Sequence, residues 1–104
     1  MRYYHITSFE TWQKIKDEGI KAGKDGYIYL LTTKKSSIIS HVALNQLGLK
    51  DYGLISIKSK GIFAKLELDR VGEITAEFEY RIKQKQIEPK YIIPINMYKV
   101  IKKS

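Results

Sequence analysis

Cysteine is absent from this chain of 104 residues, which excludes disulfides and every thiolate metal site. Two histidines, His5 and His41, are the only imidazoles, so no zinc site is expected. Proline is scarce: Pro89 and Pro94 stand near the end and argue against a regular C-terminal helix. No apolar run approaches the length of a membrane span. The start, MRYYHITSFETW, lacks the continuous apolar stretch of a secretory signal. A soluble, cytoplasmic protein with no membrane partner is the expectation. Neither a Walker loop nor a Rossmann glycine fingerprint is present, so no nucleotide is expected to be held in either of those ways. There are no repeats, low-complexity tracts or Pro/Gly/Ser linkers, and the length fits one domain, residues 1–104.

What the chain has in excess is positive charge, a formal net of +8. Such a field attracts nucleic acid, anionic metabolites or an acidic protein. Lysines scattered this widely are equally an ordinary solvated face. One segment runs against the trend: Glu67, Asp69, Glu73, Glu77 and Glu79 stand against Arg70 alone. It is a place where carboxylates could be gathered.

The stretch RYYHI reads as an aromatic first strand, with Tyr3 and His5 on one side and Tyr4 and Ile6 on the other. TSFE follows, and Thr7 as N-cap with Glu10 fits a capping box. Phe9, Trp12 and Ile15 give the helix an apolar stripe, and Gly19 stops it. Asp25-Gly26 is a turn signal before a strand in YIYLLTT. A second helix is expected in KKSSIISHVALNQLG, capped by Ser36 or Ser37 and ended by Gly48. YGLISIKS, GIFAKLELDRV, AEFEYRIK and KYIIPINMYKVI then read as strands. Two early helices amid mostly antiparallel strands give an α+β domain.

Three stretches carry the chemistry: YHIT, with a histidine on a strand entering a helix; GYIYLLTT…SSIISHVA, a tyrosine strand feeding another helix; and FEYRIKQKQIEPKYIIPI, a glutamate at a late strand pair. Taken singly, His5, Tyr29 and Glu79 are as well explained as sheet residues, Glu79 as an exposed carboxylate paired with Arg81 or a lysine. Their joint order resembles the ADP-ribosyltransferase superfamily. The similar branch carries a His-Tyr-Glu triad and includes the poly(ADP-ribose) polymerases and rifampin-modifying transferases. His5 with Thr7 matches its first motif, Tyr29 in YIYL its second, and Glu79 in FEYRI its third. The resemblance spans essentially the whole chain. It implies a small domain of two packed, mostly antiparallel sheets.

The resemblance also implies NAD as substrate. Breaking the nicotinamide–ribose bond leaves positive charge on the ribose, which a nearby carboxylate stabilises. Glu79 would supply it. His5 would hold the adenosine ribose, Thr7 and the Ile6 backbone the nicotinamide carboxamide, and Tyr29 would pack on the nicotinamide ring. Ser37 matches a serine that contacts the carboxamide. Two positions depart from the pattern. Ile6 stands where the family usually has glycine, and Ser40, beside His41, stands where the polymerase branch has a second tyrosine. Glu77 forms an E-x-E pair with Glu79, and strand alternation would put both on one face. The first glutamate of such a pair engages the target in the arginine-modifying branch of the family, so the resemblance implies a target-orienting role for Glu77. His41 is expected to face solvent.

The resulting expectation is a mono-ADP-ribosyltransferase, or an NAD glycohydrolase, acting on a nucleic acid or protein target. The alternative is a non-enzymatic basic module binding nucleic acid or an acidic protein. Against it stands the absence of one continuous basic stripe with interleaved aromatics. RNA 2′-phosphotransferases, which share a similar fold and use NAD, rely on more arginines than Arg2, Arg70 and Arg81.

Overall fold

A computed structural model describes residues 2–69 and 76–99, and these form an α+β fold. A six-stranded antiparallel sheet has the order β5-β6-β3-β1-β4-β8, and a two-stranded ladder joins β2 to β7. The elements are β1 (Arg2–Thr7), α1 (Phe9–Glu18), β2 (Ile20–Lys21), β3 (Ile28–Leu31), α2 (Ser36–His41), β4 (Asp51–Lys58), β5 (Glu67–Leu68), β6 (Glu79–Ile82), β7 (Gln86–Ile87) and β8 (Ile92–Lys99).

The sheet is covered on both faces. Tyr3, Ile28, Leu30, Ile55, Ile57 and Ile82 point to one side, where Ile15 of α1 and Ile20 and Ile87 of the small ladder complete a core. Ile6, Leu31, Tyr52 and Leu54 point to the other, under Ile39, Val42 and Ala43. This double cover explains β4. An exposed face would give alternating burial, yet every residue from Tyr52 to Ile57 is buried.

α1 begins one residue later than the capping-box reading. Ser8, not Thr7, is the N-cap, its hydroxyl accepting from the Thr11 N–H, because Thr7 is still paired with Gly53 in the β1–β4 ladder. Gly19 ends the helix at φ 76°, a conformation glycine adopts without strain. α2 also differs from expectation. Lys35 is its N-cap, without a side-chain cap, and Ser36 and Ser37 lie inside the helix. After one and a half turns the helix widens into a π-helical turn over Val42–Gln46. Gly48 follows with φ 65°.

The stretch GIFAKLELDRV is mostly not a strand. Among its described residues only Glu67–Leu68 pair, while Ile62, Ala64 and Leu66 pack against the first core as irregular chain. Residues 70–71 of that stretch lie outside those described. In AEFEYRIK the first part is a 3-10 turn, Ala76–Phe78, and the strand starts at Glu79. β8 carries Pro94 at the sheet edge, opposite Ile55, with a bulge where Asn96 pairs with Leu54. That is where a sheet tolerates a residue without an N–H.

Candidate active site

β1 holds β4 along its whole length, but meets β3 at a single Cα pair, Tyr4 with Leu31. Beyond that pair the two central strands part. The next residue of β1, His5, reaches across the opening with its side chain, and its Nδ1–H donates to the Tyr29 carbonyl at 2.7 Å. A side chain thus replaces the ladder hydrogen bond that the parting strands no longer make.

The opening is the mouth of a cavity of about 280 Å³. His5, Tyr29, Gln46, Asp69 and Glu79 supply its polar wall. Ile6, Leu30, Leu31, Val42 and Leu47 supply the apolar remainder. This volume lies near the lower end of small-molecule pockets, which begin at roughly 300 Å³.

His5, Tyr29 and Glu79 come from three different strands and are placed together by the order β6-β3-β1. Glu79 faces Leu31 across the β3–β6 ladder and is 4% exposed. It is not the exposed carboxylate that an ordinary strand reading allows. Gln46, from the π-helical turn, donates to Glu79 Oε2 at 3.2 Å. Asp69 binds the same strand end through its backbone, its N–H donating to the Glu79 carbonyl at 3.1 Å. Arg81 pairs elsewhere, 3.6 Å from Glu67, with its guanidinium over the Tyr27 ring.

Tyr29 stands at the rim, 41% exposed. Its hydroxyl donates to Asp25 Oδ2. The other oxygen of Asp25 accepts the Tyr27 N–H at 3.0 Å, closing the turn ahead of β3. The hydrogen bond to Asp25 pushes the Tyr29 phenol above its ordinary pKa, with loss of solvent adding to it, so Tyr29 stays protonated. The same bond holds the Asp25 carboxyl below the usual range, helped by the Tyr27 N–H. For His5, loss of solvent in the cavity wall lowers the pKa below 6.5, against the smaller opposing pull of the Tyr29 carbonyl. His5 is therefore a neutral imidazole at pH 7, with Nδ1 protonated and Nε2 an acceptor.

The other expected site residues divide. Ile6 is buried in the second core and forms part of the cavity wall, so its side chain occupies space that glycine would leave open. Thr7 and Ser37 do not line the cavity, and Ser37 is exposed on α2. Ser40 bonds to the Tyr52 hydroxyl at 3.3 Å. Glu77 does not share a face with Glu79. It sits on the 3-10 turn, where strand alternation does not apply, and is exposed while Glu79 is buried. His41 is partly exposed on its helix, with the Asn45 amide donating to its Nδ1 at 3.0 Å. Among the described residues no cluster of His, Asp and Glu could hold a metal ion.

Gln46, Asp69 and Asp25 are members of the site that sequence reasoning did not single out. Asp69 belongs to the acidic segment, where its carboxylate stands out without a place in the site; its N–H bond to the Glu79 carbonyl is a tertiary contact that spacing does not show. Asp25 was legible as a turn residue, and Tyr29 four residues later was the remaining clue.

Among the described residues no helix is long and apolar enough to cross a membrane. Comparison with protein-family models, with curated proteins and with solved structures finds no match for this chain.

Proposed function

We propose that the cavity binds the nicotinamide riboside half of NAD and that the protein is an ADP-ribosyltransferase. The observation that carries this reading is the convergence of His5, Tyr29 and Glu79 on one cavity. The sequence motifs selected these three from distant stretches of chain.

The electrostatics support it. In a chain of net charge +8, the described residues that line this cavity include two carboxylates, Asp69 and Glu79, and no lysine or arginine. A site of that sign suits a cationic pyridinium and the charge that develops when it leaves. In the reaction, the bond between ribose C1′ and the pyridinium nitrogen breaks, and its electron pair departs with neutral nicotinamide. Positive charge spreads over C1′ and the ring oxygen, facing Glu79. Gln46 fixes the Glu79 carboxylate by hydrogen bonding to Oε2. The His5 Nε2 lone pair accepts from a hydroxyl of the nicotinamide ribose, and not of the adenosine ribose as the family pattern implies, because His5 lines the cavity that takes the nicotinamide riboside half. The Tyr29 ring, steadied through Asp25, covers the nicotinamide at the rim. An acceptor nucleophile, or water, then attacks C1′ and loses its proton. The adenosine half lies outside the cavity, whose volume holds one ring and one sugar.

Nicotinamide release from NAD tests this reading. The wild-type chain should release it, and Glu79→Gln, which keeps the shape and removes the charge, should lower the rate about a hundredfold or more. Equal release from both would show that Glu79 does not face the reacting carbon.

A further inference from the structure

The basic stripe with interleaved aromatics that the sequence lacks is assembled by the fold. At the start of β1, Arg2, Lys58, Lys60, Lys90 and Tyr91 line an open notch of about 530 Å³. These residues come from three separate stretches of chain, which is why no run of sequence shows them. Arg2 is held in place by donating to the Ser56 hydroxyl at 3.1 Å. Lys90 lies over the Tyr91 ring at 5.1 Å, and its acid neighbour, Glu88 at 3.4 Å, is an exposed partner that a phosphate can replace.

Beside the notch Phe63 packs edge-on against Tyr91, with ring centroids 6.2 Å apart. Phe63 is 72% exposed, the most exposed of the large hydrophobic residues described. Its loop is nevertheless fixed. Gln84 accepts from the Phe63 and Ala64 N–H groups at 2.8 and 3.2 Å and donates to the Gly61 carbonyl at 2.8 Å. Gly61 lies so close beneath Tyr91 that a Cβ there would come within 2.7 Å of the tyrosine side chain. A rigid loop that keeps a phenylalanine ring in water gains nothing for folding. It presents a flat apolar face next to four cations.

We propose that this surface binds single-stranded nucleic acid, with the cations on successive phosphates and a base stacked on Phe63. Phosphate neutralisation and base–aromatic stacking are the two contributions such recognition needs, and both are present in one concave place. An acidic peptide would use the charges and leave the ring in water. A base pair inside a duplex would keep its faces from Phe63. Arg2 stands three residues before His5 on β1, about 10 Å along that strand. The proposal does not depend on the chemistry of the cavity, and either can fail without the other.

The test is fluorescence anisotropy with a labelled oligothymidylate over a salt series. Lys58→Glu/Lys60→Glu should weaken binding at least about tenfold and flatten the log–log salt slope by about 1.4. Phe63→Ala should weaken it about fivefold or more while leaving that slope unchanged. A charge-matched control, Lys21→Glu/Lys85→Glu, alters the separate basic notch beside β2 and β7 and should cost less than about threefold. Equal losses from the two double variants would mean diffuse attraction to a cationic protein and would overturn the assignment. So would an unchanged affinity in Phe63→Ala, or displacement of the oligonucleotide by polyglutamate as readily as by unlabelled oligothymidylate.

Discussion

His5 shows how one residue can serve structure and chemistry together. Its Nδ1–H closes the gap left where β1 and β3 part, and that bond sets the tautomer. The folded state holds the imidazole neutral, with a pKa below 6.5, chiefly because solvent is removed around it. The unfolded chain therefore binds the proton more readily between the folded value and 6.5, and stability falls as pH drops through that window. The contribution is fully present above about pH 6.5. Urea unfolding at a series of pH values checks this: wild-type stability should decline on acidification below 6.5, and His5→Asn should show a flatter profile over the same range. His5 and Tyr29 were legible from their strand settings, and Glu79 from its place ahead of YRI. Gln46 was not, because nothing in KKSSIISHVALNQLG announces that a helix will widen and turn a glutamine toward a distant glutamate. Glu77 misled for a related reason: the two-residue spacing implies a shared face only if the chain is already a strand there.

Among the elements, α1 is positioned by an absence. Trp12 lies against β4 at Gly53, where any Cβ would overlap the indole, and its Nε1–H donates to the Leu54 carbonyl at 3.4 Å. Gly53 also pairs with Thr7, the residue through which β1 leads into α1. The helix and the end of the histidine strand are thus seated on the same glycine. Gly53→Ala should destabilise the fold by about 1–3 kcal/mol, the ordinary cost of overpacking a filled site. Denaturant unfolding measures it, and a midpoint unchanged from wild type would show that Trp12 can swing aside. Element boundaries followed the sequence where local chemistry decides them, as with Gly19 after α1 and the Asp25-Gly26 turn before β3. They departed where tertiary packing decides. GIFAKLELDRV has the alternation of a strand, but Gln84 takes the N–H groups of Phe63 and Ala64, so the chain there pairs with a side chain instead of a neighbouring strand.

Across the whole molecule, charge is sorted by place. The carboxylates Asp69 and Glu79 meet at the cavity, while Arg2, Lys58, Lys60 and Lys90 gather at the opposite end of β1. The α+β class and the antiparallel sheet were readable from the pattern of strands and helices. The two-stranded ladder of β2 and β7 was not, being too short to leave a periodicity. That the sheet opens between β1 and β3 could not be read either, since strand order is a property of the assembled chain. The cavity in that opening is the centre of the functional account, and ligand-linked stability tests it without requiring an acceptor. Thermal unfolding of wild type and His5→Ala, with and without millimolar NAD, is the direct measurement. NAD at a hundred times its dissociation constant adds about 2.7 kcal/mol, a shift of several degrees for a domain of this size. The account requires that shift in wild type and its loss or marked reduction in His5→Ala. A wild-type chain that unfolds cooperatively at the same temperature with and without NAD would contradict it.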